Sequence, residues 1–207
     1  MGAELRMLAR LNTETEVHHG DADADLDRYV FRTEATRAEY RTYLARIYGW
    51  IAPLEQALAR TPGLDGAIDL PARAKSALLL YDLLALGLTL EEVQDLPQCL
   101  SIPAFRGPAA ALGWMYVAER PTLQAAVVRS HVETSLGRGI SASTAYLSCY
   151  AGHAGQRWRE LALAMEEVAS SEALADRMAL AASEGFRCLL RWKTRDAARE
   201  SGIRIAG

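Results

Sequence analysis

Apolar residues recur at helical spacing along almost the whole chain, and this pattern excludes most fold classes. The clearest stripe follows the capping-box spacing Thr36-Arg37-Ala38-Glu39 and continues with large apolar side chains from Tyr40 to Leu58. No segment alternates polar and apolar residues between hairpin turns. The sequence therefore predicts an all-α protein of about seven to nine helices.

Prolines and glycines mark the expected helix boundaries. Pro71 is suited to be the first residue of a helix over residues 72–86, which Gly87 would end. Pro53 predicts a kink near residues 49–52, or the start of a new helix, because it removes a backbone donor. A second capping box lies at residues 89–92, and three prolines make residues 97–108 a surface linker.

A long apolar helix is expected from Ala109 to about Val132, and Pro121 should interrupt it. Further helices are predicted over residues 146–150, 158–168 and 174–195. A chain of 207 residues with 50% hydrophobic side chains can bury one sizeable core. We expect a single domain over residues 1–207, with its core in residues 8–195.

The charge balance excludes several classes of partner. A net charge of −3 and a pI near 5.9 give no excess of positive charge to hold a nucleic acid. The apolar runs are shorter than the roughly 20 residues that a membrane span needs, and the N-terminus lacks the apolar core of a secretory signal. Three cysteines without C-x-x-C spacing fit reduced thiols. These features predict a cytoplasmic protein.

Four histidines limit the chemistry that is available, and two of them, His18 and His19, are adjacent. Leu11, Thr15, His19 and Asp23 recur at steps of four residues, which places them along one face of a continuous helix. A neutral imidazole that a polar neighbour holds is a common ligand of heme iron. A pair of surface histidines at a helix end is the alternative.

Other chemistries lack the residues that they need. A di-iron carboxylate site requires two Glu-x-x-His motifs, and only residues 16–19 supply one. The chain has no Gly-x-Ser-x-Gly elbow and no glycine-rich phosphate loop.

Residues 112–126, Leu-Gly-Trp-Met-Tyr-Val-Ala-Glu-Arg-Pro-Thr-Leu-Gln-Ala-Ala, resemble the distal-helix signature of bacterial heme oxygenases. That signature reads Gly-x-x-Tyr-Val-x-Glu-Gly-Ser-Thr-Leu-Gly-(Gly/Ala). The spacing Leu11-x-x-x-Thr15-x-x-x-His19-x-x-x-Asp23 is similar to the proximal segment of the same family. Residues 40–58, 146–158 and 186–192 keep the order of further family segments, particularly of the members that serve bacteriophytochromes.

The resemblance implies the heme oxygenase fold, with heme between a proximal helix and a kinked distal helix. It also implies conversion of heme to biliverdin, iron and carbon monoxide by O2 and an external electron donor. The donor would be a ferredoxin or a flavoprotein reductase, and a bacteriophytochrome would receive the biliverdin. By residue matching, His19 is the iron ligand with Thr15 beside it, and His18 is the rival ligand.

The distal segment departs from the family pattern at its glycines. Arg120, Gln124 and Ala125 stand at the glycine positions, and Pro121 stands at the serine. The resemblance makes Gln124, Arg120 and Tyr116 the candidate catalytic residues. Gln124 would either donate a hydrogen bond to iron-bound oxygen or close the pocket by its bulk, and Tyr116 would either line the distal side or belong to the core. An ordinary, partly exposed helix is the alternative for this stretch. The lost glycines also favour a second hypothesis, in which the protein is catalytically impaired and binds heme or biliverdin, or acts as a protein partner.

The heme propionates need cations at the rim of the pocket. The candidates are Arg10 on the first helix and Arg187, Arg191 and Lys193 on the last one. A solvated basic face is the alternative for each of them.

Overall fold

The computed structural model describes residues 5–32 and 35–203, and every regular element in these two ranges is helical. The α-helices are α1 (Arg6–Thr15), α2 (His19–Tyr29), α3 (Arg37–Ala59), α4 (Ser76–Ala85), α5 (Leu90–Gln94), α6 (Pro108–Glu119), α7 (Ala125–Leu136), α8 (Ala154–Val168) and α9 (Glu172–Ile203). Short 3-10 turns lie at Glu16–His18, Pro71–Arg73, Arg120–Leu123, Arg138–Ser143 and Tyr146–Ser148. The predicted all-α class is confirmed.

Helices α6 and α9 form the centre of the fold. Residues 111–119 of α6 are all buried, and α9 packs along them. Gly113 permits this close approach: a Cβ at this position would overlap the Met178 carbonyl oxygen and lie 2.9 Å from the Ala182 nitrogen. The two helix backbones therefore touch at a point where only glycine fits.

Both predicted capping boxes are confirmed. The Thr36 Oγ1 accepts a hydrogen bond from the Glu39 amide at 3.2 Å, and the Glu39 carboxylate accepts one from the Thr36 amide at 2.9 Å. The same reciprocal pair joins Thr89 and Glu92 at the start of α5. These contacts fix the starts of α3 and α5 from local sequence alone.

Pro53 lies inside α3, which continues from Arg37 to Ala59, so no new helix starts there. The proline has no amide to donate to the Gly49 carbonyl, and the Cys99 amide donates to that carbonyl at 2.7 Å instead. A Cβ on Gly49 would overlap the Pro97 carbonyl oxygen. The irregular segment over residues 97–107 lies within the predicted linker of residues 97–108. The hydrogen bond from Cys99 thus attaches this segment to the middle of α3.

The predicted start of the fourth helix at Pro71 is wrong. Pro71–Arg73 is a separate 3-10 turn, and α4 begins at Ser76. The carboxylate of Glu55, on α3, accepts hydrogen bonds from the Lys75 amide at 2.5 Å and the Ser76 amide at 3.2 Å. A contact over 20 residues therefore sets this boundary.

The helix predicted over residues 146–150 is also wrong, because a 3-10 turn, Tyr146–Ser148, stands in its place. Asp82 on α4 accepts hydrogen bonds from the Ala145 and Tyr146 amides, each at 2.8 Å. These bonds hold the turn against α4.

The predicted interruption at Pro121 is confirmed. Helix α6 ends at Glu119, the 3-10 turn Arg120–Leu123 follows, and α7 starts at Ala125. The Thr122 hydroxyl donates to the Glu119 carbonyl at 2.6 Å, which satisfies an acceptor that the helix leaves open at its end.

Two further features of the structure concern the cysteines and the hydropathy of the helices. Cys99, Cys149 and Cys188 are not joined in disulfide bonds, and the Sγ atoms of Cys99 and Cys188 lie 3.7 Å apart. In the ranges that the structure describes, no helix is long and apolar enough to cross a membrane.

The Gly113→Ala variant tests the contact between α6 and α9. We expect it to lower the free energy of unfolding by about 1–3 kcal/mol, because the new methyl group must push the α9 backbone away. Gly155→Ala on α8 is the matched control, since a Cβ there meets nothing within 4 Å. Urea unfolding followed by circular dichroism measures both variants, and equal stability of the two would contradict the close contact.

Candidate functional site

His19 is the first residue of α2, and Thr15 fixes its imidazole. The Thr15 hydroxyl donates to the Leu11 carbonyl at 2.7 Å, and its oxygen lies 3.0 Å from the His19 Nε2. The 3-10 turn Glu16–His18 separates α1 from α2, so the expected continuous helix is interrupted between the two residues. Their side chains nevertheless meet, as the spacing of four residues predicts.

Phe186 of α9 forms the surface on which both adjacent histidines lie. Its ring centroid is 5.4 Å from that of His19 and 5.8 Å from that of His18. Both imidazoles are half-buried, whereas Phe186 is only 1% exposed. The contact with Thr15 distinguishes His19 from His18, which shares the same aromatic neighbour.

The surroundings of His19 favour its neutral form. Burial lowers the pKa of the imidazole below its usual value, and the positive charge of Arg120 lowers this pKa further. The imidazole is therefore uncharged at neutral pH, which is the form that binds a metal ion through a ring nitrogen.

Two polar contacts join α6 and its following turn to α1 and α2. The Tyr116 hydroxyl donates to the Asn12 Oδ1 at 2.7 Å, and the Arg120 Nη1 lies 3.0 Å from the Asp23 Oδ2. Arg120 and Asp23 are partly exposed, with side-chain exposures of 22% and 31%. We call these two contacts the clamp. The sequence analysis names Tyr116 and Arg120 as candidates, but it does not predict their contacts with Asn12 and Asp23.

A small cavity of about 60 Å³ lies beside the clamp, between α2, α3, α6 and α9. Its apolar walls include Trp50, Val117 and Phe186, and its charged lining includes Arg46 and Lys193. Arg120 and Pro121 also line it. The segments that the resemblance names as proximal and distal thus face the same space.

Asp25 organises the charged end of this cavity. Its Oδ2 lies 3.4 Å from both the Arg46 Nε and the Lys193 Nζ. The Lys193 Nζ also donates to the Ala22 carbonyl at 2.5 Å. Burial lowers the pKa of Lys193, while the charge of Asp25 opposes this shift. The sequence analysis names Lys193 as a candidate cation. It does not name Arg46 or Asp25, because they lie on helix faces that the apolar pattern assigns to the hydrophobic core.

Apart from Arg120 and Lys193, the candidates from the sequence, His19 included, do not line this cavity. Arg10 pairs with Glu14 and Asp176, each at 2.6 Å, on the surface. Arg187 and Arg191 are exposed on α9. Gln124 and Ala125 are half-buried at the start of α7 and are not among the described residues that line the cavity. The roles expected of these five residues stay predictions.

Comparison with known families places these residues in one context. The sequence profile of the heme oxygenase family matches residues 5–194, a range that holds both histidines, the clamp and the small cavity. Comparison with curated proteins gives no match.

A histidine titration tests the electrostatic contact of Arg120 with His19. We expect Arg120→Gln to raise the His19 pKa toward 6.5, because the variant removes a nearby positive charge and leaves Asp23 without its partner. Arg129→Gln, which breaks the exposed pair of Arg129 and Glu133, is the control. NMR titration of the imidazole signals measures the shift, and an identical His19 pKa in both variants would refute the contact.

Proposed function

Because this chain belongs to the heme oxygenase family, we propose that it opens the heme ring to biliverdin and releases iron and carbon monoxide. Membership implies heme as the substrate and O2 as the oxidant. The electrons would come from an external donor, a ferredoxin or a flavoprotein reductase. A bacteriophytochrome would take the biliverdin as its chromophore.

The observation that carries this proposal is the neutral imidazole of His19, held by Thr15 close to the charge of Arg120. A neutral imidazole can donate a lone pair to the heme iron without first losing a proton. Phe186 supports the ring from α9 and limits its orientation. His19 is therefore the proposed iron ligand. His18 stays the rival, since its ring rests on the same phenyl group.

The side chains suit heme in their chemistry, but the small cavity is too narrow for it. A volume of about 60 Å³ holds about two water molecules, whereas small-molecule sites begin at roughly 300 Å³. Heme binding therefore requires α1 and α2 to move away from α6. The imidazole must also turn, because its Nε2 contacts Thr15.

The clamp is the part of the site that this movement must break. An ion pair as exposed as that of Arg120 and Asp23 stabilises a protein by about 1 kcal/mol or less. This energy is small beside that of a micromolar ligand, about 8 kcal/mol. Once broken, the clamp leaves the Arg120 guanidinium at the edge of the site, where it could pair with a carboxylate of the substrate.

Arg46 and Lys193 would orient the propionates of the bound heme. Both cations line the charged end of the small cavity, and Asp25 already holds them in place. A guanidinium and an ammonium ion are the usual partners of a carboxylate. Because α3 and α9 carry these cations while α2 carries Asp25, the movement of α2 would take Asp25 away and leave both cations for the propionates.

On the distal side, we propose that the helix break at Pro121 replaces the missing glycines. Helix α6 ends at Glu119 and the 3-10 turn Arg120–Leu123 follows, so the chain leaves the helical path without a glycine. Gln124 follows directly and would supply a side-chain amide donor on the distal side. Closure of the clamp over bound substrate would exclude water from the reacting ring.

A hemin titration followed by turnover tests the proposed function. We expect a saturable Soret band in the wild type, and its bleaching, with growth of a biliverdin band, after a reductase system is added in air. His19→Ala should abolish the proximal-histidine spectrum, because the iron loses its protein ligand. Visible absorption spectroscopy records each of these changes.

His153→Ala is the control, since His153 is exposed and bonds only within its own turn, to Ala151. Loss of the histidine spectrum in His18→Ala alone would make His18 the ligand. Saturable binding without bleaching would indicate the catalytically impaired alternative. The absence of any Soret shift would overturn the proposed function.

The clamp makes a separate kinetic prediction. We expect Asp23→Asn to raise the rate constant of hemin association several-fold, because the site then opens without breaking an ion pair. Stopped-flow absorption at the Soret maximum measures this rate. Glu133→Gln, which breaks an exposed pair on α7, should leave the rate unchanged. Equal rates in the two variants would mean that the clamp does not limit entry.

A further inference from the structure

A second cavity lies apart from His19, on another side of α6. Its volume is about 1150 Å³, slightly above the roughly 300–1,000 Å³ that is typical of small-molecule sites. It lies between the second half of α3, residues 65–77, and α6. Ile51 and Ala118 line both this cavity and the small one, so a single layer of side chains separates them. We call it the rear cavity.

The walls of the rear cavity are mainly apolar. Leu54, Ile68 and Met115 are buried along its floor. Ala59 and Ala77 line the cavity and are themselves exposed, so it opens to solvent on this side. A molecule with an apolar body could enter here and remove this surface from water.

The floor also carries a buried ionic network. The Lys75 Nζ lies 2.7 Å from the Glu119 Oε1, and the Tyr150 hydroxyl donates to the same oxygen at 3.1 Å. The side chains of Lys75 and Glu119 are each only 3% exposed. Burial lowers the pKa of Lys75, but the charge of Glu119 outweighs burial and raises it overall, so the amine stays charged.

Arg73 is the member of this network that can accept a further partner. The residue lines the rear cavity, is 5% exposed, and its Nη1 has no hydrogen-bond partner in the part of the chain that the structure describes. The Glu119 Oε2 is 3.7 Å from this nitrogen, beyond hydrogen-bond distance. The Nη2 donates to the Arg157 carbonyl at 2.7 Å, which holds the guanidinium in place.

The charge of the network favours an anion. Arg73, Lys75 and Arg157 share two carboxylates, those of Glu119 and Glu160, within 4 Å. The trio of buried side chains, Arg73, Lys75 and Glu119, alone carries one excess positive charge. One added carboxylate would balance it and satisfy the Nη1 of Arg73.

The other carboxylates around the cavity limit the charge that a ligand can carry. Glu55 accepts hydrogen bonds from the first amides of α4, Asp69 from the Ala72 amide and Asp65 from the Gly66 amide. These three acidic side chains line the rear cavity. They would repel a phosphate dianion or a polyanion more strongly than a single carboxylate.

We propose that the rear cavity binds an amphiphile with an apolar body and one carboxylate, such as a fatty acid. The apolar body lies along Leu54, Ile68 and Met115, and the carboxylate accepts a hydrogen bond from the Arg73 Nη1. This site does not involve His19 or the clamp.

Titration calorimetry with three probes that share a ten-carbon chain tests the proposal. We expect decanoate to bind at least about tenfold more tightly than 1-decanol or decyltrimethylammonium, because it alone brings the negative charge. Arg73→Met should remove this preference, so that decanoate binds as weakly as 1-decanol. Equal affinity of the wild type for the three probes would overturn the carboxylate assignment.

A pair of variants on α3 tests the location and leaves the ionic network untouched. Ala59→Trp fills the mouth of the rear cavity and should weaken decanoate binding at least about tenfold, since the chain can no longer enter. Ala38→Trp is the matched control, at an exposed position near the other end of α3. Equal affinity in the two variants would place decanoate elsewhere and overturn the proposal.

The His19→Ala variant separates this inference from the proposed function. It should bind decanoate with wild-type affinity even though it loses the histidine ligand of heme. A wild type that binds hemin but not decanoate would refute the rear site and leave the oxygenase proposal standing. A wild type that binds decanoate but not hemin would do the reverse.

Discussion

The backbone contact of α6 with α9 at Gly113 is the constraint on which the rest of the structure depends. Because no side chain fits between Gly113 and the α9 backbone, the two helices approach each other closely at this point. Both sides of the candidate site use this pair: α6 ends at the turn with Arg120, and α9 carries Phe186 and Lys193. Helices α1 and α2 complete the site through the clamp, and α2 bears His19.

The sequence predicted those features that contacts between neighbouring residues determine. The starts of α3 and α5 follow from their capping boxes, and the interruption at Pro121 follows from a missing amide donor. The contact of Thr15 with His19 likewise follows from their spacing of four residues. The structure confirms the all-α class, and the family profile confirms the family. The roles of the individual site residues stay predictions.

The remaining features depend on residues that are distant in the sequence. Glu55 sets the start of α4 across 20 residues, and Lys75 pairs with Glu119 across 44 residues. A pattern of apolar spacing assigns charged residues to the solvent, so it cannot detect a buried ion pair or the cation Arg46 beside Asp25. The same limitation hides the rear cavity, because its lining comes from three separate parts of the chain.

The proline in α3 affects where the segment after α5 is attached. A helix interior normally offers no free carbonyl, but Pro53 leaves that of Gly49 open, and the Cys99 amide fills it. Any other residue at position 53 would supply an amide of its own to compete for the same acceptor. An amino acid usually regarded as a helix defect therefore provides the acceptor through which the segment after α5 attaches to α3.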